Sequence, residues 1–466
     1  MNAWTELSLP PAPDDVVQRL QPPWERDDGD PGSQPTDIDL AAPDRQRGRA
    51  VAPTDFWAHL PSGTFIYEPT RENWPASSVN SVILKIDGQR ASDWLARNRP
   101  VHQMTWAPGL PMIIQDRLVD QGGWIAHPGA AAFNLYRGPT IKHGDADAAG
   151  LWVNHVRRVY PDEAEHLFDW FAHRVQRPDV KCNHAIVLGG NQGVGKDTIL
   201  EPVKAAIGPW NFEDIGPSAA MGRFNGFLKS VILRISEARD LGDHDRFSFY
   251  DRTKTWIAAP PDVHRIDEKN RREYAAFNVC GVIVTTNRKD GLYIEPDDRR
   301  HFVAWSRAEK EDFTPDYWTR LYQWFCNGGN EAVAAWLAQR DLSSFDPKAP
   351  PPKTPSFWEV VRAAMSPDSL EMSDALETLR WPDAVTIPQV KAAASPDFAS
   401  WMGDRKNSRA MPHRFTECGY EPQANPDSRC GRHMIGGERL MVYVRKHLDS
   451  RQRHNALRAL IQGVRP

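Results

Sequence analysis

Residues 188–200 read LGGNQGVGKDTIL and decide the fold of the chain. The frame G-x4-GK at 190–196 follows an apolar run at 185–188 and precedes a helix-like segment at 199–201. This order predicts a P-loop, because the N–H groups of a glycine-rich turn and the dipole of the following helix attract phosphate. An ordinary strand-to-helix turn does not explain glycines clustered beside Lys196, which we expect to reach the β- and γ-phosphates. The residues predicted to bind ATP are Gly190, Asn191, Gln192, Gly193, Val194, Gly195, Lys196, Asp197 and Thr198.

Two positions depart from the usual P-loop pattern. The residue after the lysine is normally Ser or Thr, whose hydroxyl binds Mg²⁺, but here it is Asp197. The next apolar strand, 230–235, is followed by Ser236 where a metal-linked Asp often stands. We expect Asp197 and Ser236 to have exchanged the carboxylate and the hydroxyl of the Mg²⁺ site, since Mg²⁺ accepts both kinds of oxygen. The alternative is that Asp197 only caps the helix.

Polar residues after the core strands are the candidate catalytic groups. Glu237 is placed to polarise the attacking water, and Asn287, after the apolar strand at 279–286, to orient that water and sense the γ-phosphate. Arg299 and Arg300 are expected to form the finger that completes the site of a neighbouring subunit. The alternatives are a surface glutamate, a turn-forming asparagine, and arginines paired with the preceding aspartates.

Composition and charge narrow the classes of protein. The 466 residues are too many for one compact core, and 40% hydrophobic with 25% charged residues is ordinary for a globular protein. The net charge of -4 gives no global field for nucleic acid, so any DNA contact needs a local basic surface. No apolar run approaches the roughly 20 residues that span a bilayer, and the N-terminus lacks the pattern of a secretory signal. Five scattered cysteines fit a reduced cytoplasm.

The chain is predicted to have an α/β fold divided into four segments. Residues 1–50, rich in Pro, Asp and Gly, are expected to be a disordered arm, and 51–150 an α+β module of strand-like runs such as SVILKI. Alternating buried strands and helices over 151–345 predict a P-loop core with a parallel sheet, which begins with a helix over 151–176. After a Pro-rich linker, 356–466 combines helices with a Gly-Gly hairpin, which predicts a winged-helix-like auxiliary module that binds DNA.

The order of the motifs carries a resemblance to a known family. The sequences GGNQGVGKDT, VILRISEARD, CGVIVTTN and DDRRHFVAWS resemble the motifs of superfamily 3 helicases, and more narrowly the AAA+ helicase part of phage and prophage primase-helicase proteins. The resemblance covers about residues 150–310. It implies an ATP- and Mg²⁺-dependent DNA helicase of phage DNA replication in the cytoplasm of a bacterial host. It also implies a homo-hexameric ring around single-stranded DNA, with a separate primase or other replication proteins as partners.

The same family carries a hairpin with a basic tip between the second and third strands of its core. The matching segment here is HRIDEKNRREYAAFN, so the resemblance implies that Lys269, Arg271 and Arg272 contact DNA. Basic residues on a loop bind phosphates without reading the base sequence. The alternative is a solvated surface on which Glu268 and Glu273 pair with the cations.

Two other functions stay open on the sequence alone. A P-loop nucleotide kinase fits the Gly-Lys-polar turn, although no arginine-rich lid supports it. A DNA-binding scaffold with an inactive P-loop fits the two departures from the usual metal ligands. In the tail, His413, Cys418, Cys430 and His433 offer zinc-binding side chains, but their spacing is not that of a paired C-x2-C site.

Overall fold

The structure is a computed structural model that describes residues 51–236, 243–364 and 367–462. The predicted arm at 1–50 and the candidate base Glu237 lie outside these described residues. Within the described ranges, no helix is both long enough and apolar enough to cross a membrane.

Two small sheets form the first part of the described chain. The strands are β1 (Phe56–His59), β2 (Thr64–Tyr67), β3 (Glu72–Pro75), β4 (Pro100–Val101), β5 (Gln103–Thr105), β6 (Ile113–Asp120) and β7 (Gly123–Asn134). They pair in the orders β3-β2-β1-β4 and β5-β7-β6, and helices α1 (Ala76–Val82) and α2 (Ala91–Asn98) pack beside the first sheet. The strand-like run SVILKI begins inside α1, so that expectation is wrong. The apolar residues Val79 and Ile83 are buried one helical turn apart, which favours a helix at this place.

The predicted helix over 151–176 is divided into two. Helix α3 (Gly150–Val159) ends before Tyr160, and α4 (Ala164–Gln176) begins after a short turn. Pro161 explains the break, because a proline disfavours the helical conformation of the preceding residue, and Tyr160 has φ -133°. Both helices bury aromatic residues against the core of the molecule.

A parallel sheet forms the centre of the fold. The strands of this region are β8 (Ala185–Gly189), β9 (Phe212–Ile215), β10 (Ile232–Ile235), β11 (Val263–Ile266), β12 (Tyr274–Phe277), β13 (Gly281–Thr286) and β14 (His301–Trp305). Its helices are α5 (Lys196–Ile207), α6 (Pro217–Met221), α7 (Asp243–Ile257), α8 (Pro315–Trp324) and α9 (Asn330–Gln339). Five strands pair in parallel in the order β14-β8-β13-β10-β9, while β11 and β12 form a separate antiparallel hairpin. Every residue of β8 and β13 is buried, as in strands covered on both faces, so the predicted parallel sheet is confirmed.

The hydrophobic core crosses from the small sheets into the parallel sheet. One cluster of buried side chains includes Phe133 of β7, Trp152 of α3 and Val187 of β8. The hairpin joins this contact, because the hydroxyl of Thr105 donates to the carbonyl of Ala275 at 2.9 Å. The small sheet β5-β7-β6 is therefore packed directly against the hairpin.

The C-terminal part has hydrophobic clusters of its own. After α10 (Pro355–Ala363), which packs on β14, its elements are α11 (Pro367–Thr378), β15 (Ala384–Thr386), α12 (Ile387–Ala393), α13 (Pro396–Gly403), α14 (Met411–Glu417), β16 (Tyr420–Gln423), β17 (His433–Ile435), β18 (Glu438–Leu440), β19 (Val442–Arg445) and α15 (Ser450–Ile461). The antiparallel sheet β15-β19-β16 buries Tyr443 in the cluster formed with α11 to α14, and Val442 and Val444 in the cluster formed with α15. The predicted Gly-Gly hairpin is confirmed, with Gly436 and Gly437 between β17 and β18.

Candidate nucleotide-binding site

The G-x4-GK segment forms a tight turn at the carboxyl end of β8. The strand ends at Gly189, and α5 begins at Lys196 with Gly195 as its N-cap residue. Gly195 has φ +87°, a left-handed conformation that favours glycine, and an added Cβ would lie 2.6 Å from the ring of His155. Because ligands of open α/β sheets bind outside the carboxyl ends of the strands, this turn lies where a nucleotide site is expected.

The ammonium group of Lys196 is buried and surrounded by oxygen atoms. Its Nζ donates to the carbonyls of Gly190 and Asn191, at 2.8 and 2.6 Å, and to Oδ1 of Asn287 at 2.8 Å. Burial lowers the pKa of Lys196 from its usual value to about 8, although the carboxylate of Asp197 opposes this change. A cation held in this way is well placed to bind an anion that replaces one of its neutral oxygen partners.

Asn287 reaches the turn from the neighbouring strand. It follows β13, which pairs directly with β8 from Ile283 and Ile186 to Thr286 and Gly189. The sheet therefore brings the predicted sensor residue and the P-loop lysine into contact across a large sequence separation. The sequence predicts both residues, but their direct hydrogen bond follows only from the strand order.

Helices α3 and α8 hold the turn from one side. His155 contacts the hydroxyl of Tyr317 through Nδ1 at 2.8 Å and the carbonyl of Gly195 through Nε2 at 3.1 Å. Burial lowers the pKa of His155 to about 4, so its ring is neutral at pH 7. The hydroxyl of Tyr160 donates to the carbonyl of Gly189, 3.1 Å away. Sequence reasoning missed these contacts, and the buried face of the helix before the P-loop was the only signal for them.

A cleft of ≈ 360 Å³ opens between α3 and α8 beside the His155 contact. Its lining includes Leu151, Asn154 and Arg158 from α3 and Tyr317 and Arg320 from α8. This volume lies within the range of small-molecule pockets. Tyr317 of the cleft is connected to the turn through His155, which contacts both Tyr317 and the carbonyl of Gly195.

The remaining predicted ATP-binding residues lie around the same turn with different exposure. Thr198 is buried, with its hydroxyl 3.0 Å from that of Tyr322. Val194 is fully buried in the hydrophobic core, so its side chain serves packing, whereas Gln192 is exposed. The amide of Asn191 donates to Glu309 at 2.9 Å.

The two predicted Mg²⁺ ligands have protein partners. Oδ1 of Asp197 accepts from the Arg234 guanidinium at 2.9 Å, and the same guanidinium pairs with Asp214 at 2.8 Å. The hydroxyl of Ser236 donates to the carbonyl of Ile215 at 3.3 Å. Arg234 therefore connects the first turn of α5 to β10 and β9, a link that the sequence did not indicate. Within the described residues no cluster of three or more His, Cys, Asp or Glu side chains is arranged to hold a metal.

The arginine pair lies at the other end of the sheet. The carbonyl of Arg300 accepts from the N–H of Ala185, the first residue of β8, at 2.7 Å. Arg299 is exposed, and Arg300 is partly buried. Asp298 instead accepts from His301 and from the hydroxyl of Tyr250, at 3.1 and 2.7 Å. Burial opposes ionisation of Asp298, but His301 and these hydrogen bonds hold its pKa well below the usual range.

The basic segment at 267–273 is the tip of the β11–β12 hairpin. Arg271 forms an ion pair with Glu268 at 3.0 Å, whereas Lys269 and Arg272 are exposed. Glu268 also accepts from Lys229 at 2.8 Å; burial opposes ionisation, but the charge of Lys229 lowers the pKa of Glu268. The expected ion pairing therefore applies to Arg271, and two cations remain exposed at the tip.

A known protein family matches part of the chain. A family of unknown function (DUF5906) matches residues 188–300, the segment from the end of β8 to the arginine pair. No curated protein matches this sequence.

Solved structures match a larger part of the chain. The apo structure of the NrS-1 C terminal region (305–718) covers 82% of this chain and 93% of that chain, with 16% sequence identity and a TM-score of 0.57. The A form apo structure of the NrS-1 C terminal region covers 84% and 96%, with 15% identity and a TM-score of 0.56. A structure of JCV helicase covers 53% and 65% with 10% identity, but its TM-score of 0.28 is too low to compare folds. The chain therefore shares its fold with the NrS-1 C terminal region.

Proposed function

We propose that this protein is an ATP-dependent DNA helicase or translocase of phage or prophage DNA replication. It hydrolyses ATP at the subunit interfaces of a homo-hexameric ring and moves on single-stranded DNA. The observation that carries the proposal is the hydrogen bond between Lys196 and Asn287 at 2.8 Å. In P-loop ATPases a lysine binds the phosphates while a nearby polar residue orients the attacking water, and this contact brings two residues of those kinds together.

The site fits a nucleoside triphosphate. The buried Lys196 ammonium, which donates to three neutral oxygens of the described residues, supplies the cation, and the turn at 190–195 supplies backbone N–H groups at the start of α5. Glu237, next to Ser236 after β10, activates the attacking water, and Asn287 orients it. In this role Asn287 exchanges its contact with Lys196 for a contact with the γ-phosphate.

Mg²⁺ is proposed to bind near Asp197 and Ser236. A carboxylate and a hydroxyl are the hard oxygen donors that Mg²⁺ prefers, and when bound the ion neutralises charge on the phosphates. The Arg234 guanidinium occupies Oδ1 of Asp197. Mg²⁺ and Arg234 would therefore compete for this carboxylate. The alternative is that Asp197 binds no metal and only stabilises the N-terminus of α5.

Arg299 and Arg300 are proposed to act on the site of a neighbouring subunit. They precede His301, which pairs with Ala185, whereas the P-loop turn follows Gly189. About six residue steps of roughly 3.3 Å, from Arg300 to Ser306 beside the turn, therefore separate the pair from the turn along the strand. This distance fits an action in trans within a ring.

The hairpin tip is proposed to bind single-stranded DNA through Lys269, Arg271 and Arg272. Its support is the exposure of Lys269 and Arg272 at the turn, where Arg272 also donates to the carbonyl of Pro61 at 3.4 Å. Exposed cations bind phosphates of any sequence, as a translocating enzyme needs. The ion pair with Glu268 restricts Arg271 to a smaller part of this contact.

The C-terminal part is proposed to be a winged-helix-like module that binds DNA. Helix α11, β15, the helices α12 to α14 and the strands β16 and β19 with the β17–β18 hairpin between them follow the order of such a module. Replication proteins, among them a separate primase, are proposed partners.

ATP hydrolysis measured with and without single-stranded DNA tests the proposal. A helicase or translocase hydrolyses ATP faster when DNA is added, and displaces a strand from a forked duplex. Phosphoryl transfer to a nucleotide acceptor would identify a kinase instead. DNA binding with no turnover, with or without DNA, would identify a scaffold with an inactive P-loop.

A further inference from the structure

The segment that follows β14 runs alongside the P-loop turn. The N–H of Ser306 donates to the carbonyl of Gly189 at 2.9 Å, and a Cβ placed on Gly190 would lie 2.7 Å from the Cβ of Ser306. Such a close approach leaves no space for another side chain between the two segments. The residues after Ser306 therefore begin at the edge of the phosphate-binding turn.

The next turn of this segment is fixed from two sides. Glu309 accepts from the amide of Asn191 at 2.9 Å, and its own N–H donates to Asp312 at 2.8 Å. On the far side, the guanidinium of Arg158 in α3 donates to the carbonyl of Asp312. The short turn Lys310–Asp312 is thus attached both to the P-loop and to α3.

Lys310 lies across the phosphate-binding turn. A Cβ placed on Gly193 would lie 3.3 Å from Cγ and 3.4 Å from Cδ of Lys310, so the aliphatic stem packs on the middle of the turn. Lys310 is exposed, and no carboxylate of the described residues forms an ion pair with it. Arg307, the other cation of the segment, lies 4.0 Å from Glu359 of α10. Of these two cations, Lys310 is the one available to an anion at the turn.

We propose that Lys310 binds the phosphates of the nucleotide in the same subunit. This inference rests on the proposed binding of ATP at the P-loop. The backbone N–H groups in the middle of a P-loop surround the α- and β-phosphates, so a cation over Gly193 contacts phosphates that ATP and ADP share. Lys310 also offsets the carboxylate of Glu309, which lies at the same turn. A contact of equal strength in the bound substrate and in the transition state changes KM and leaves kcat unchanged.

The test compares four variants of the full chain, Lys310→Ala, Lys310→Arg, Lys348→Ala and Lys196→Ala, by calorimetry with ADP and with a non-hydrolysable ATP analogue. We expect Lys310→Ala to raise both dissociation constants about five- to tenfold, since it removes a charge-assisted contact from an exposed position. Lys310→Arg keeps the charge and is expected to recover most of the affinity. Lys348→Ala is the matched control. Lys348 is also exposed, but it lies far from the turn, because the carbonyl of the adjacent Pro347 accepts from the N–H of Asn183 near the opposite end of β8. In steady-state assays, Lys310→Ala raises KM and leaves kcat within about twofold.

The outcomes separate this inference from the proposed function. Unchanged affinities in Lys310→Ala, with binding lost in Lys196→Ala, overturn the role of Lys310 alone. A lower kcat with unchanged affinity also overturns it, because Lys310 then acts on the chemical step. If the unaltered protein binds neither nucleotide, the proposed function fails, and the role of Lys310 fails with it.

Discussion

The P-loop and the hairpin tip carry the same kind of charge in opposite environments. Lys196 is buried and donates three hydrogen bonds, whereas Lys269 and Arg272 are exposed at the end of a two-stranded hairpin. The first cation is positioned by the chain itself, through a strand, a turn and a helix. For Lys269 and Arg272, the proposed partner is single-stranded DNA, which is not part of the chain. Substitutions should therefore have large and local effects at the P-loop, and smaller, salt-dependent effects at the hairpin.

The largest effect is expected from Lys196→Ala. Removal of the cation at the phosphates should abolish measurable ATP turnover, because the change weakens phosphate binding and also removes charge stabilisation from the transition state. The fold should persist, because the side chain contacts loop carbonyls and Asn287 rather than the hydrophobic core. ATPase assays and thermal unfolding check both points, with Lys348→Ala as the control. Turnover in Lys196→Ala equal to that of the unaltered protein would contradict the proposal that the protein hydrolyses ATP at the P-loop.

The second prediction concerns the exposed Arg299 and the partly buried Arg300, whose proposed partner is the neighbouring subunit. Arg299→Ala with Arg300→Ala should reduce turnover by about 10³-fold or more, the scale of an arginine finger. Mixing these subunits with Glu237→Gln subunits should restore part of the activity, since some interfaces then carry an intact finger and an intact base. The mixture is assayed against each protein alone, with co-assembly verified by size. Failure of every mixture to regain turnover, although the proteins co-assemble, would remove the trans assignment.

The third prediction tests whether Asp197 serves the metal or the helix end. If Asp197 and Ser236 share Mg²⁺, Asp197→Ser should severely impair Mg²⁺-dependent hydrolysis, and the added change Ser236→Asp should restore part of it. Such a non-additive rescue is expected of two residues that share one ion. If Asp197 instead only pairs with Arg234 and adds negative charge to the first turn of α5, Asp197→Ser should cost at most about 1 kcal/mol of stability, and Ser236→Asp should rescue nothing. A Mg²⁺ titration of the ATPase rate in Asp197→Ser, in Ser236→Asp and in the double variant distinguishes the two roles.

The P-loop and the hairpin tip also differ in how far the sequence predicts them. Residues 185–201 carry strand, turn and helix signals in succession, so the P-loop conformation could be predicted from local chemistry. The contact between Lys196 and Asn287 depends on the position of β13 next to β8, which no local pattern specifies. The roles of Tyr317 and Lys310 depend in the same way on how the chain folds back after β14.

At the hairpin, the resemblance implied basic residues at a tip, and an antiparallel pair of strands occupies that place. The sequence could not decide which cations are paired, because Glu268 has several possible partners. The structure places Glu268 between Lys229 and Arg271 in a partly buried group with Tyr274, whose hydroxyl donates to it at 2.9 Å. Side-chain burial therefore distinguishes the paired Arg271 from the exposed Lys269 and Arg272.

The fourth prediction uses this difference in burial between Arg271 and the two exposed cations. Lys269→Ala with Arg272→Ala should weaken binding to single-stranded DNA about tenfold at low salt and reduce the salt slope by about 1.4, or about 0.7 for each lost contact. ATP turnover without DNA should not change, since neither residue touches the nucleotide. Arg271→Ala is the matched comparison and should weaken DNA binding less, because Glu268 already pairs with this arginine. Equal losses in the two variants would show that the ion pair does not persist when DNA binds.

The smallest effect is expected from pH at the buried cation. Burial lowers the pKa of Lys196 to about 8 in the nucleotide-free protein, so its charge is largely present at pH 7 and is lost as pH rises through that value. ADP binds the charged form, and its dissociation constant should therefore rise about fourfold between pH 7.0 and pH 8.5, as the charged fraction falls. Calorimetry at several pH values measures this, with thermal unfolding at each pH to exclude loss of the fold. In Lys196→Arg the guanidinium stays charged over this range, and the dependence should flatten. If the rise persists unchanged in that variant, the titrating group is not Lys196.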